Sequence, residues 1–268
     1  MHSEPIQQAP ELPPGTRIQP ADCETHGSYE QKVFALLGKE LKSGCPECGR
    51  IRAEEEAERQ MIQSAALARY HMAEKLGAAL IPKRFAGKTF DGYIAKTAEQ
   101  QKALKTCVRY AAEFKQIAAA GRCLLLLGKP GTGKTHLSVA IANEIMATSS
   151  ATAVYRTIGA VLQAIRATYD HTSDQSESQI LSSLVSPSLL ILDEIGVSKE
   201  KPSDFELTTL FSIINGRYEE LRPTVIVSNL DAKALASAIG ERCADRLREG
   251  GVIVQPFEWE SQRGKEGF

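Results

Sequence analysis

Eight consecutive residues, Gly128-Lys129-Pro130-Gly131-Thr132-Gly133-Lys134-Thr135, carry the spacing GxxxxGK[ST], and His136 follows them. Glycines let a chain turn its N–H groups inward around phosphate oxygens with no Cβ in the way. The ammonium of Lys134 suits the β- and γ-phosphates of a nucleotide such as ATP, and the Thr135 hydroxyl suits Mg²⁺. Such a loop works only between a strand and a helix, because the helix N-terminus adds partial positive charge at the phosphates. Both neighbours are present. Cys123–Leu127 is an apolar run, and Leu137, Ile141 and Ile145 recur every four residues across Lys134–Ala147.

A second apolar run, Leu189–Leu192, ends in Asp193 and Glu194. A carboxylate at the end of a strand can hold the Mg²⁺ hydration shell, and the next one can polarise an attacking water. Asp193 is thus expected at the metal with Thr135, and Glu194 at the water. A plain acidic turn after a buried strand is the alternative, and the phosphate loop upstream weighs against it. The run Thr224–Ser228 leads into Asn229, whose amide would sit between water and γ-phosphate or simply close a turn. Arginine is densest at Gly240–Arg248, where Arg242 and Arg246 stand four apart on one helix face. An arginine stabilises charge on a phosphoryl group in transfer. The interleaved Glu241, Asp245 and Glu249 suit a solvated, ion-paired helix equally well, and spacing leaves both readings open.

A different chemistry stands near the N-terminus. Cys23-x2-His26 and Cys45-x2-Cys48 are two ligand pairs separated by 18 residues. Zn²⁺ takes four S or N ligands in a tetrahedron, and a two-residue gap lets one tight turn aim both side chains at the ion. Gly27, Gly44, Pro46 and Gly49 supply turn chemistry around both pairs. A redox Cys-x2-Cys would open a helix within a βαβ pattern, and none surrounds this one. Between Cys23 and Cys48, Lys32, Lys39 and Lys42 are balanced by Glu24, Glu30, Glu40 and Glu47, so little counterion-release affinity for nucleic acid is expected. A protein-binding staple fits that balance better. Cys107, Cys123 and Cys243 fall in helix or strand patterns and read as core.

Five short apolar or β-branched runs must position the phosphate chemistry: Cys123–Leu127, Thr152–Arg156, Ser188–Leu192, Thr224–Ser228 and Gly251–Gln255. Helical patterns separate them, which is the signature of a parallel sheet between helices. Ahead of them, residues 1–22 hold Pro5, Pro10, Pro13, Pro14 and Pro20 and read as a mobile arm. Ile51–Ala79 reads as one long helix, and Pro82–Tyr93 as a connector with aromatic anchors. Asp170–Ser178 reads as a polar loop. The expected domains are an arm over 1–22, a zinc-knuckle and long-helix domain over 23–82, and an ATPase domain over 83–268.

Composition excludes several classes. The 268 residues hold 32 Lys+Arg against 33 Asp+Glu, a net charge of -1, so nucleic-acid contact must come from local patches rather than a basic coat. The apolar runs are too short for a membrane span, and MHSEPIQQAP has neither a basic nor an apolar leader segment. The expected compartment is the cytoplasm.

Together, GKPGTGKTHL, ILDEIGV, VSNL, IGERCADRLREG and FEWESQRGK resemble the DnaC-type replicative helicase loaders of the AAA+ class, over roughly residues 85–265. The resemblance implies an α/β P-loop AAA+ fold, with a five-stranded parallel sheet between helices; the ligand pairs and the long helix place a small zinc-stapled helical domain ahead of it. It implies Lys134 and Thr135 as Walker A, Asp193 and Glu194 as Walker B, Asn229 as sensor 1, and Arg246 as an arginine acting on a neighbouring subunit, with Arg242 beside it. An extra helix pair over Ile158–Leu184 would line a pore, with Arg166 and Tyr169 as single-stranded DNA contacts; a cation and an aromatic fit backbone attraction plus base stacking. An amphipathic helix whose tyrosine packs is the alternative. No lid arginine is identifiable, and the role of Arg263 stays open. The implied partners are a hexameric ring helicase, met through the N-terminal domain and the long helix, single-stranded DNA, and other copies of the chain when ATP is bound. The related transposition-helper ATPases share most of these motifs. A DNA-bound helper ATPase for a transposase is therefore one alternative, and a nucleotide-binding adaptor without turnover is another.

Overall fold

The computed structural model describes residues 15–36, 39–170, 174–196 and 202–263. Strand β1 (Arg17–Cys23) pairs antiparallel with β2 (Gly27–Leu36), and β2 with β3 (Lys39–Lys42). Cys23 lies opposite Gly27, so the chain reverses within the Cys23–Gly27 turn, and Gly27 takes the left-handed φ of 78° that closes it. Residues 17–22, expected in the mobile arm, are therefore strand. Pro20 is tolerated because β1 is an edge strand, where a missing N–H costs no ladder bond. Residues 1–14 of that arm lie outside the described residues.

Helix α1 (Pro46–Ala78) follows. It begins at Pro46 rather than Ile51, because proline's fixed φ and absent N–H suit the first helical position. None of its residues is buried, and Met61, Ile62 and Leu67 are 68%, 61% and 58% exposed. Ion pairs along its surface, Glu47–Arg50 at 3.0 Å and Arg50–Glu54 at 2.7 Å among them, support the helix by a few tenths of a kcal/mol each. The chain divides into two compact units between Arg69 and Tyr70, inside this helix, whereas the sequence boundary was set beyond its end. The first unit thus carries an antiparallel sheet beside its helix. Strands with few large apolar residues left no alternation strong enough to read.

In the second unit, α2 (Lys83–Ala86), α3 (Ala98–Ala112) and α4 (Phe114–Ala119) precede strand β4 (Leu124–Gly128). Strands and helices then alternate: α5 (Lys134–Thr148), β5 (Ala153–Thr157), α6 (Ile158–Ala167), α7 (Glu177–Val185), β6 (Leu189–Ile195), α8 (Asp204–Glu219), β7 (Thr224–Ser228), α9 (Ala232–Ile239), α10 (Glu241–Glu249) and β8 (Ile253–Phe257). The five strands lie parallel in the order β5-β6-β7-β4-β8, each within one or two residues of its expected start. One sheet face packs Leu124 and Leu126 against Tyr110, Leu137 and Ile141. The other packs Leu190 and Leu192 against Ile165, Leu210 and Leu247. Cys107, Cys123 and Cys243 are buried, as expected. Residues 171–173 of the polar loop lie outside the described residues. Among those described, no helix is long and apolar enough to cross a membrane.

Candidate nucleotide site and metal cluster

Strand order reverses around β4, so β4, β6 and β7 deliver their carboxyl ends to one crevice, where open parallel sheets hold ligands. The loop Gly128–Gly133 leaves β4 there and feeds α5. Gly133 sits at φ 95°, and a Cβ on it would lie 2.6 Å from the Tyr93 ring, so only glycine fits. Tyr93 and Trp259 both donate to the Thr132 carbonyl, at 3.3 and 3.1 Å. Residues after β8 complete the cradle: Gln262 N–H donates to Gly131 O at 2.8 Å.

Lys134 is buried and donates to the Gly128 and Lys129 carbonyls, both at 2.6 Å. Burial pushes its ammonium down to about 8; nearby Asp193 opposes that shift and Arg263 adds to it. Thr135 Oγ1 donates to Asp193 Oδ2 at 2.9 Å, and Tyr155 Oη donates to the same oxygen at 2.8 Å. Burial, then the charge of Asp193, pushes the Tyr155 phenol upward, which keeps it a donor. The third donor to this carboxylate is Glu194 N–H, to Oδ1 at 2.7 Å.

Glu194 adopts φ 63°, and the β6–β7 register shifts between Leu192 and Ile195. This bulge re-aims two successive carboxylates, as bulges beside active sites do. Asp193 is 4% exposed, Glu194 is exposed, and both line one cavity of about 580 Å³. The size suits a nucleotide. The cavity also takes in Pro130, Gly131, Gly133, Lys134, Thr135, His136 and Asn229. The chemistry of the donors fits Mg²⁺, since a hydroxyl oxygen and a carboxylate oxygen stand 2.9 Å apart at the cavity.

Sequence reasoning missed several groups here. Arg84, Phe85 and Lys88 from the connector line the same cavity, as does Arg263 from beyond β8, whose role the sequence leaves open. His136, expected to touch nucleotide, lines the cavity, and its Nε2 donates to the Thr89 carbonyl at 2.8 Å, which holds the connector. Asn143 adds donations to Ala86 O at 3.0 Å and Lys88 O at 2.8 Å. Tyr155 was legible in principle, because alternation along β5 puts it on the same sheet face as Asp193.

Arg242 and Arg246 lie outside this cavity. Arg246 donates to Asn215 Oδ1 at 3.1 Å, pairs with Glu249 at 3.1 Å, and lies 4.8 Å over the Tyr218 ring. Arg242 lies 5.9 Å over the Phe211 ring. Arg166 and Tyr169 are exposed, Tyr169 by 60%, and both meet Phe205: the guanidinium at 5.2 Å and the phenol ring at 6.4 Å.

In the first unit, Cys23, His26, Cys45 and Cys48 present donor atoms that all lie within 4.8 Å of one another. His26 Nδ1 lies 3.7, 3.7 and 3.2 Å from the sulfurs of Cys23, Cys45 and Cys48, and Cys23 to Cys48 is 3.5 Å. Around a tetrahedral Zn²⁺ with its usual bond lengths, such edges are about 3.5–3.8 Å. Backbone N–H groups of Thr25 and His26 draw Cys23 down to about 6, while its hydrogen bond to Cys23 pushes Cys48 up to about 11. A dication bound here would displace the thiol protons. The set fits a metal. The Cys45–Cys48 pair opens a helix after a strand, but that strand belongs to an antiparallel sheet and not to a βαβ unit, and Cys23 and His26 stand beside the pair.

A strand-loop-helix phosphate cradle, a strand ending in paired carboxylates and this strand order define a P-loop nucleotide-binding protein of the AAA+ class. The chain belongs to the family of IstB-like ATP binding proteins, which matches residues 53–246. It is 35% identical to the replicative helicase loader DnaC of Buchnera aphidicola (subsp. Acyrthosiphon pisum, strain APS) over 192 residues, 72% of this chain and 76% of that protein. To the replicative helicase loader DnaC of Escherichia coli K12 it is 32% identical over 212 residues, covering 78% and 84%. A crystal structure of the DnaC helicase loader superposes with a TM-score of 0.58 at 25% identity, covering 66% of this chain and all of that one.

Proposed function

We propose that this protein hydrolyses ATP to place a ring-shaped replicative helicase on single-stranded DNA. The observation that carries the reading is the bulged end of β6. It buries Asp193 against Thr135 and turns Glu194 into the same cavity as the phosphate loop. A site built only to hold nucleotide has no need of a strained second carboxylate. Likeness to two DnaC loaders over more than two thirds of the chain supports the choice of helicase loading over transposition.

In this reading the loop amides and Lys134 hold the phosphates. Thr135 and Asp193 would hold Mg²⁺, which when bound neutralises phosphate charge. Glu194 orients and deprotonates the attacking water, and Asn229 hydrogen-bonds near the γ-phosphate. Arg246, with Arg242 beside it, serves the site of an adjoining subunit in an ATP-bound assembly. Cys23, His26, Cys45 and Cys48 hold Zn²⁺ as a structural staple, since a closed set of four leaves no open position for chemistry. The first unit docks the helicase, and α1 with its exposed Met61, Ile62 and Leu67 adds surface for it. Arg166 and Tyr169 meet single-stranded DNA.

Fluorescent ATP binding and phosphate release, measured for wild type, Lys134→Ala and Glu194→Gln, test the chemistry. Lys134→Ala loses binding; Glu194→Gln binds but does not turn over. Turnover by Glu194→Gln at the wild-type rate would remove the hydrolytic half of the proposal.

A further inference from the structure

Arg217 is 1% exposed, on α8, and no carboxylate is among its hydrogen-bond partners. Burying an uncompensated cation costs several kcal/mol unless its donors are satisfied. Here six oxygens do so. Nε donates to Thr224 Oγ1 at 3.0 Å, and NH1 donates to the carbonyls of Leu184, Val185 and Pro187 at 2.9, 3.0 and 2.9 Å. NH2 donates to Pro223 O at 2.6 Å and Ser188 O at 3.5 Å. The first carbonyls are the C-terminal end of α7, where a helix favours a cation. Arg222 donates to Ser186 O in the same turn. Close approach is possible because Gly216 faces Val185: a Cβ at Gly216 would lie 3.1 Å from Val185 Cγ2.

The same helix touches two other groups. Asn215 and Tyr218 hold Arg246, and Phe211 lies under Arg242. Asn215 precedes Arg217 by two residues, about 200° around the helix, so α10 and α7 are gripped from opposite sides. Phe205, at the first turn of α8, packs against both Arg166 and Tyr169. One rigid element therefore spans the arginine helix and the α6–α7 pair.

We propose that Arg217 is a positioning residue that fixes α7 to α8 and so makes α8 the lever between Arg246 and the DNA-facing pair α6–α7. Movement of Arg246 toward a neighbour's nucleotide then shifts α8, and the α6–α7 pair moves with it through the Arg217 cage. A buried guanidinium suits this task better than an apolar contact, because its fixed fork has one geometry that satisfies all of its donors. The inference rests on the assignments of Arg246 and of the DNA contacts made above.

The test measures ATP turnover with and without single-stranded oligonucleotide for wild type, Arg217→Lys and Gly216→Ala, alone and with Arg246→Ala. Gly216→Ala keeps the fold, since alanine favours a helix interior, and wedges α7 from α8 at Val185. Both variants should keep ATP affinity and basal turnover, while the DNA-stimulated to basal ratio falls about threefold or more, within the range of such couplings. Adding either change to Arg246→Ala should lower the ratio no further. A purely structural role would lower the melting temperature and leave the ratio alone. Wild-type ratios in Gly216→Ala, or additive losses in the doubles, overturn the lever even if Arg217→Lys fails to fold. If wild type itself shows no stimulation by DNA, the functional reading fails, and the lever with it.

Discussion

Glu194 offers a prediction in which stability and turnover move in opposite directions. Its φ of 63° is left-handed, and it is not a glycine. For an L-residue that geometry costs roughly 1–2 kcal/mol. Replacement by glycine removes the strain, and the greater freedom of the unfolded glycine takes back about 0.5–1 kcal/mol. Glu194→Gly should therefore stabilise the protein by about 0.5–1 kcal/mol, a rise of roughly 1–4 °C in Tm for a domain of this size. Glu194→Gln keeps both the side-chain volume and the strain, so its Tm should match wild type. Both lose the water-orienting carboxylate, and turnover should fall about 100-fold or more in each. Differential scanning calorimetry and phosphate release on the three proteins read both quantities. A glycine variant less stable than the glutamine variant would refute the strained bulge. Turnover within about threefold of wild type in either would refute the role given to the carboxylate.

Lys134, held down at about 8, must be charged to grip phosphate, so ATP binding takes up a proton above that pH. Affinity should fall as pH rises past 8, by at most about tenfold per unit, and calorimetry in buffers of different ionisation enthalpy should show net uptake. The sign for the empty fold is opposite: its lysine titrates below the unfolded 10.5, so between 8 and 10.5 the unfolded chain binds more protons and stability rises with pH. Arg246→Ala should bind ATP yet lose assembly-stimulated turnover, and mixing it with Glu194→Gln subunits should restore some; no recovery at any ratio contradicts a role in trans. Cys45→Ser with Cys48→Ser should release metal and unfold the first unit's sheet while ATP binding persists, because a small stretch whose folding depends on an ion has no core to fall back on. Atomic absorption of purified wild type at less than about half an equivalent of zinc would argue against a structural ion.

Much of the second unit was legible because its signals are local. Short unbroken apolar runs set between helical patterns read as buried strands, and the phosphate loop names its own strand and helix. The metal cluster was legible from ligand spacing alone. What escaped is what only the folded chain brings together. Tyr155 reaches Asp193 from the neighbouring strand, and Arg263 reaches the cavity from beyond β8, the strand paired with β4. The bond from His136 to the Thr89 carbonyl joins residues too far apart along the chain to be read from it. The sheet of the first unit escaped because Pro20 and sparse apolar residues hide an edge strand. Arg217 carries no local sign of burial in the sequence. Nothing in its neighbours along the chain reveals a cage built from residues 184–188 and 223–224.

The most direct measurement uses circular single-stranded DNA, the replicative helicase of the same cell, and this protein, with helicase retained on the circles counted after gel filtration. Helicase should be retained with wild-type protein and ATP, and lost with Lys134→Ala or with the Cys45→Ser, Cys48→Ser double variant. Retention that is equal with and without this protein, or that needs neither ATP nor the first unit, would contradict the account.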